Sequence, residues 1–120
     1  MTGSDESLDP RRAVGSSGED RAVEWYTDRG YEIVARNWRT RSGEIDVVAR
    51  RGRELVICEV KARTSDRFGT GADAVTPVKQ ERLRKLAIEF LREAHLPGLI
   101  IRFDVVSITA GEMTVIESAF

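Results

Sequence analysis

Two neighbouring apolar segments decide the fold of this chain, Ile45-Asp46-Val47-Val48-Ala49 and Leu55-Val56-Ile57-Cys58-Glu59-Val60-Lys61. Each has the length and the β-branched content of a buried strand. A short connection that contains Gly52 joins them, so we expect an antiparallel hairpin. Charged side chains inside buried strands are costly unless something pairs them. Both segments contain such charges, and the hairpin is therefore the candidate functional site.

Side chains alternate across a strand, so Glu59 and Lys61 share one face of theirs, and Glu44 and Asp46 share one face of the other. With the turn centred just before Gly52, Glu44 lies opposite Glu59. Asp46 is then the diagonal neighbour of Glu59, roughly 7–8 Å away at Cα. A cation could bridge that separation, and an all-oxygen ligand set favours Mg²⁺ or Mn²⁺. We predict Asp46 and Glu59 as metal ligands, with Glu44 as a further ligand or an outer group.

This arrangement suits phosphodiester hydrolysis. A metal held by Asp46 and Glu59 would lower the pKa of a bound water and polarise a phosphate oxygen. Lys61 would orient the attacking water or stabilise the charge that develops on phosphorus. In the alternative interpretation, Glu59 and Lys61 form a salt bridge on a solvent-exposed sheet surface and have no catalytic role. The residues alone leave both interpretations open.

Two helices and further strands surround this hairpin. Ser16 and Glu19 have the spacing of a capping box, which predicts a first helix from about residue 17 to residue 29. Thr76-Pro77 supplies an N-cap residue followed by proline at the first helical position, and the second helix ends at Pro97-Gly98. The predicted strands are residues 31–35, 45–49, 55–61, 99–108 and 113–117.

The element order α-β-β-β-α-β-β predicts an α/β fold with a mixed β-sheet flanked by helices, since a helix between the third and fourth strands permits a parallel crossover. The chain has 120 residues, which supports one domain, and we place it at residues 15–120. Residues 1–14 are polar and lack periodicity, so we predict a disordered acidic tail there. Residues 36–43 are predicted to form a polar connection, and residues 64–74 a loop.

The composition is that of a soluble globular protein, with 41% hydrophobic and 32% charged residues. The net charge of −1 gives no overall attraction for nucleic acid, but residues 34–67 contain nine basic against five acidic residues. The single cysteine, Cys58, excludes an internal disulfide, which suits the cytoplasm, and we expect its thiol to be buried and inert. We find no signal-peptide pattern and no apolar run near the ~20 residues that span a bilayer.

Several other side chains have two interpretations. Trp38 lies among arginines, a pattern suited to base stacking, but a tryptophan that anchors a loop to the core is the commoner case. Lys79 falls in the first turn of the second helix, where a cation opposes the helix dipole, which indicates either phosphate binding or chance. Glu19 either closes the capping box or shares the inward face of its helix and reaches the site. Asp104 is interpreted as structural, paired with Arg102 or another neighbour.

The sequence also contains a series of short motifs: Gly15-Ser16-Ser17-Gly18-Glu19, Arg36-Asn37-Trp38-Arg39, Gly43-Glu44-Ile45-Asp46-Val47-Val48-Ala49, Glu59-Val60-Lys61-Ala62-Arg63, Phe68-Gly69 and Arg102-Phe103-Asp104-Val105-Val106. In this order they resemble the YraN-like family, a widespread group of poorly characterised bacterial proteins. The resemblance covers about residues 15–117. That family looks like a member of the restriction-endonuclease-like superfamily and is similar in outline to archaeal Holliday junction resolvases.

The resemblance implies a restriction-endonuclease-like fold, whose signature is Pro-Asp…(Asp/Glu)-x-Lys. It implies that Asp46 is the first acid, Glu59 the second acid and Lys61 the lysine. Glu19 matches the catalytic acid that the first helix contributes. Ile45 stands where the superfamily often has proline.

We therefore expect a cytoplasmic, metal-dependent nuclease that acts on DNA, with branched DNA as the substrate by family-level analogy. A junction cutter is expected to act as a homodimer, because two strands must be cut symmetrically. The competing hypothesis is a catalytically inactive nucleic-acid-binding or accessory module that kept the nuclease fold. Contacts to the nucleic acid are assigned to five basic residues: Arg39, Arg41, Arg63, Arg67 and Lys79.

Overall fold

The computed structural model describes residues 10–63 and 75–120, with side chains from residue 18 onwards. Neither of the helices in these ranges has the length and hydrophobicity of a membrane span. The elements of the described chain follow the predicted order and confirm the α/β fold class. They are α1 Pro10–Asp28, β1 Glu32–Thr40, β2 Gly43–Arg51, β3 Glu54–Arg63, α2 Pro77–Ala94, β4 Ile100–Thr109 and β5 Glu112–Ile116.

The strands form one mixed sheet in the order β1-β2-β3-β4-β5. β3 and β4 are parallel, and the other neighbouring pairs are antiparallel. The chain between β3 and β4 contains α2, because parallel neighbours need a crossover connection rather than a tight turn. Thr76 caps the N-terminus of α2 and Pro77 opens the helix, as the sequence predicted.

β3 is the central strand and is buried on both faces. Every side chain from Leu55 to Glu59 is buried, and strands covered on both faces are near-continuous apolar runs. Ile57 belongs to the core cluster that contains the buried side chains of α2. Its neighbour Cys58 belongs to the cluster that contains Ala22 and Tyr26 of α1. One helix therefore covers each face of the sheet at its centre.

The first helix begins earlier than the sequence predicted. It runs from Pro10, so Ser16 lies inside the helix and does not cap it. Proline fits the first turn of a helix because its missing N–H would have no intrahelical partner there. Residues 10–14, which the sequence analysis assigned to the tail, are part of this helix. Residues 1–9, and the predicted loop at residues 64–74, lie outside the described residues.

β1 is also longer than predicted, and it includes Trp38, which the sequence placed in a polar connection. The indole packs edge-on against Phe90 of α2, with ring centroids 5.2 Å apart. Trp38 is thus a core anchor rather than an exposed stacking platform. An edge strand with polar residues on its outer face does not look like a strand in sequence, which explains the difference.

Asp104 is fully buried on β4 and is held by donors from three parts of the chain. The Tyr26 hydroxyl donates to it at 2.6 Å, the Arg102 guanidinium at 2.8 and 2.9 Å, and the Ser118 amide at 3.0 Å. A buried carboxylate is tolerated when such donors satisfy it. Burial and the carboxylate raise the pKa of Tyr26, so its hydroxyl keeps the proton. The structural interpretation of Asp104 is confirmed.

We expect Tyr26→Phe to destabilise the fold by about 1.5–3 kcal/mol, because a hydrogen bond to a buried charge is lost without a change of shape. Tyr31→Phe is the matched control, since its hydroxyl donates to Glu54, a half-buried carboxylate, at 2.7 Å. Urea denaturation of both variants measures the difference. Equal losses of unfolding free energy would contradict the role given to the Asp104 cluster.

Candidate functional site

The candidate site lies where the hydrogen-bonded pairing between β2 and β3 ends. The paired residues run from Arg51↔Glu54 to Val47↔Cys58. Continuing this register places Asp46 level with Glu59, so the predicted diagonal arrangement is wrong. The turn lies one residue further along the chain than assumed, over Gly52 and Arg53. The correction brings the two acids closer in register than the sequence suggested.

Where the β2–β3 pairing ends, the side chain of Asp46 replaces a backbone carbonyl as the hydrogen-bond acceptor for β3. Its Oδ2 accepts a hydrogen bond from the Val60 amide at 2.8 Å. The alternation of β2 also breaks here, because Ile45 and Val48 both pack in the core cluster on the α2 side. In a regular strand, residues three apart point to opposite faces. The irregular backbone therefore aims the Asp46 carboxylate at β3.

Glu59 is buried and paired with two lysines. Lys61, two residues along β3, places Nζ 3.1 Å from Glu59 Oε2. Lys79, in the first turn of α2, places Nζ 2.5 Å from the same oxygen. Burial lowers the pKa of Lys79, but its hydrogen bonds to Glu59 and Lys61 outweigh this effect and the pKa is raised. The sequence left Lys79 open between phosphate binding and chance; the structure places it against Glu59, and its phosphate-binding role stays a prediction.

Asp46 has an unusual pKa for an aspartate. Burial and then the neighbouring Glu59 carboxylate raise it from 3.8 to about 7, while the hydrogen bond from the Val60 amide opposes the shift. Glu19 and Glu44 add smaller contributions in the raising direction. The two neighbouring acids thus differ in environment. Glu59 is paired with two ammonium groups, whereas the Asp46 carboxylate accepts a hydrogen bond from one backbone amide. Such separation of environments is typical of functional carboxylate pairs.

Glu19 reaches this cluster from α1. The Asn37 side chain donates to Glu19 Oε1 at 2.8 Å, and the Arg36 guanidinium lies 3.7 Å from the same oxygen. The Glu19 side chain is only 16% exposed. Because the helix begins at Pro10, the capping-box interpretation of Glu19 is wrong. The interpretation that places it beside the site agrees with its effect on the pKa of Asp46.

Asn37 is the residue that the sequence analysis missed. The β1–β2 register pairs Arg36 with Val47 and Trp38 with Ile45, so Asn37 is level with Asp46. Its backbone is left-handed, with φ of 51°, a conformation that asparagine adopts more readily than most residues. An asparagine inside a strand was the available signal, since strands are depleted in this residue.

The remaining predicted residues lie at different distances from the acid pair. Glu44 is largely exposed and forms an ion pair with Arg39 at 2.8 Å, so nothing in its contacts makes it a ligand, and that role stays a prediction. Arg41 is exposed on the β1–β2 turn, and Arg63 is half-buried at the end of β3. Arg67 lies outside the described residues.

The donor set fits a small hard cation only through the Asp46–Glu59 pair. Residues 10–63 and 75–120 hold no group of three or more histidine, cysteine, aspartate or glutamate side chains arranged to bind a metal. Burial, and then the charge of Glu59, raise the pKa of Asp46 to about 7. A divalent cation would offset that charge, and carboxylate oxygens are ligands that Mg²⁺ and Mn²⁺ accept.

The pKa of Asp46 predicts a specific pH dependence of stability. Between pH 4 and pH 7 the folded chain keeps a proton that the unfolded chain releases, so the unfolding free energy falls as the pH rises. The fall is at most about 1.4 kcal/mol for each pH unit, and it stops above the folded pKa. Asp46→Asn should lack this component, which urea denaturation from pH 4 to pH 8 would measure. Glu24→Gln, at an exposed position of α1, is the control, and parallel curves for wild type and Asp46→Asn would contradict the assignment.

Asn37→Gly should release Glu19 while keeping the left-handed backbone, which glycine adopts without strain. With the Glu19 carboxylate free to move away, we expect the pKa of Asp46 to fall below about 7. Carbon-detected NMR titration of the Asp46 carboxyl measures this shift. Asn37→Ala should cost about 1 kcal/mol more stability than Asn37→Gly, because its Cβ strains the backbone. An unchanged Asp46 titration in Asn37→Gly would rule out the link.

Comparison with known proteins identifies the family of this chain. The model of "Uncharacterised protein family UPF0102" matches residues 18–108. A UPF0102 protein of Parafrankia sp. (strain EAN1pec) is 52% identical over 95 residues, which cover 79% of this chain and 80% of the relative. A UPF0102 protein of Rhodococcus opacus (strain B4) is 50% identical over 99 residues, 82% and 84% of the two chains.

A UPF0102 protein of Nocardia farcinica (strain IFM 10152) is 47% identical over 109 residues, 89% of this chain and 86% of the relative. These matches confirm the family resemblance seen in the sequence motifs, and the nuclease-superfamily placement is consistent with this family. The chain belongs to the uncharacterised protein family UPF0102.

Proposed function

We propose that this protein is a cytoplasmic, Mg²⁺- or Mn²⁺-dependent DNA endonuclease that hydrolyses phosphodiester bonds, with branched DNA as its substrate. One observation carries the proposal. Asp46 accepts a hydrogen bond from the amide of Val60, the residue next to Glu59, and two ammonium groups, Lys61 and Lys79, meet on the Glu59 carboxylate. A metal-dependent nuclease uses a divalent cation next to fixed positive charge, and the carboxylates and ammonium groups of this arrangement support that mechanism.

Asp46 and Glu59 would hold the metal. When bound, the ion would supply an acidified water and a positive charge for a phosphate oxygen. Asp46 has to lose its proton before it can act as a ligand, and its pKa of about 7 allows this near neutral pH. Glu19, held by Asn37, would accept hydrogen bonds from water on the α1 side of the pair.

The lysines would act on the substrate. Lys61 is 27% exposed and Lys79 30% exposed, so both ammonium groups are within reach of a phosphate at the surface. Ammonium groups fixed in place stabilise the charge that develops on a phosphoryl group. Arg39, Arg41 and Arg63 would contact the backbone near the site, as would Arg67. A homodimer would allow symmetric cutting of two strands.

A second candidate, a nucleic-acid-binding or accessory module without catalysis, is favoured by one observation. Both lysine contacts fall on Glu59 Oε2, so the buried acid is already compensated without a metal. A cation would have to compete with two ammonium groups for that carboxylate. In such a module the lysines would serve structure, and phosphate contacts alone would account for binding.

One experiment separates the two candidates. The purified protein is incubated with linear, single-stranded, flapped and four-way DNA, with and without Mn²⁺. The enzyme proposal predicts metal-dependent cutting that Asp46→Ala and Lys61→Ala each reduce about 100-fold or more, the usual cost of removing one stabilising group. Arg53→Ala, an exposed change on the β2–β3 turn, is the control and should cut like wild type.

Tight DNA binding without cutting under any of these conditions would support the module and overturn the enzyme. Cutting that survives both Asp46→Ala and Lys61→Ala would assign the activity to a contaminating nuclease. Thermal unfolding of each variant shows whether lost activity reflects the site or a lost fold.

A further inference from the structure

We propose that a basic groove between the β1–β2 turn and α2 binds the phosphodiester backbone of the nucleic-acid strand as it leaves the candidate site. The inference rests on the proposed function, and it adds the path of the substrate over the surface. The groove has a volume of about 600 Å³. Its walls are formed by Ser42, Pro77, Val78, Glu81, Arg82 and Lys85.

Gly43 brings the turn and the helix together. Its φ is 141°, a conformation that favours glycine. A Cβ at this position would lie 3.3 Å from Arg82 Cδ and 3.4 Å from Leu86 Cδ1. The stem of Arg82 therefore lies against the start of β2, and Arg82 is one of the residues that line the groove. A larger residue at position 43 would push the wall away.

The lining of the groove carries a net positive charge. Arg82 and Lys85 line it, against the single acid Glu81, and Arg41 is exposed on the adjoining turn. Within the described parts of the chain, none of these three bases takes part in an ion pair or hydrogen bond. Arg39 near the end of β1, by contrast, is paired with Glu44 of β2 at 2.8 Å. Free bases beside an open surface suit an anionic ligand.

The spacing of the bases fits a nucleic-acid backbone. Lys79, Arg82 and Lys85 follow one another at three-residue intervals on α2, so each is a surface neighbour of the next. They cover about 9 Å along the helix at 1.5 Å per residue, which matches roughly two to three phosphates of one strand. The series starts at Lys79, which touches Glu59 in the site.

The groove also offers apolar contact. Val78 is 71% exposed and Pro77 is exposed beside it. Isolated exposed apolar residues need no explanation, but here they form part of a wall between free cations. A backbone with anionic phosphates and less polar sugars has matching chemistry, and we therefore commit to nucleic acid as the occupant.

The test measures DNA binding by fluorescence anisotropy at several salt concentrations without divalent cations, so that no strand is cut. Flapped and single-stranded DNA are the probes. The plot of the log of the association constant against log salt has a negative slope, and Arg82→Ala/Lys85→Ala should make that slope shallower by about 1.4–1.8. Each phosphate contact contributes about 0.7 on single strands and about 0.9 on duplex. Affinity near 0.1 M salt should fall roughly tenfold or more.

Arg53→Ala/Arg92→Ala is the matched control, because it removes two exposed positive charges away from the groove and gives the same net charge. It should bind with nearly the wild-type slope. Equal losses in the two double variants, or an unchanged slope in Arg82→Ala/Lys85→Ala, would overturn the groove assignment. Thermal unfolding of both variants verifies that the fold is kept.

A polyglutamate peptide tests whether the groove binds an acidic protein segment instead of nucleic acid. If it bound as tightly as DNA and lost affinity equally in Arg82→Ala/Lys85→Ala, the groove would belong to an acidic protein segment. The proposed function fails separately, since it requires Mn²⁺-dependent cutting. Binding that depends on the groove without cutting would refute the enzyme alone, whereas cutting with a normal slope in the groove variant would refute the groove alone.

Discussion

The hydrogen bond from the Val60 amide to the Asp46 carboxylate is the contact on which the rest of the site depends. It lies where the β2–β3 ladder ends, so a side chain takes the position of a backbone acceptor. This fixes Asp46 beside Glu59. The side chains that complete the cluster come from rigid elements: Lys61 from β3, Lys79 from α2 and Glu19 from α1. Sites on such elements hold their geometry better than sites on loops.

The charges around the two acids are distributed unequally. Glu59 is compensated by two lysines on one oxygen, whereas Asp46 has a backbone amide and carries a raised pKa. On the neighbouring strand β4, the fully buried Asp104 is level with Cys58 and is satisfied by four donated hydrogen bonds. The fold therefore satisfies a buried acid completely where it serves stability. At the candidate site it leaves Asp46 with a raised pKa, as expected for a functional position.

The sequence predicted the elements best where burial dictated the residues. β3 is covered on both faces, so its apolar run was unambiguous. The start of α2 was equally clear, because Thr76 and Pro77 have few other uses in that combination. Trp38 and the outer half of β1 were missed because an edge strand with a polar outer face has a weak pattern. The early start of α1 was missed because Ser16 and Glu19 imitate a cap inside a helix.

The sequence by itself determined that Asp46, Glu59 and Lys61 lie in a hairpin, since alternation along strands and the apolar flanks are local properties. Only the tertiary structure decided which side chains face one another. The register, continued past its last pair, places Asp46 level with Glu59 and with Asn37 of β1. Lys79, which contacts Glu59, lies on a helix and is eighteen residues further along the chain than Lys61. The physical reason is that these contacts depend on a one-residue shift of a turn and on a left-handed backbone, neither of which local composition specifies.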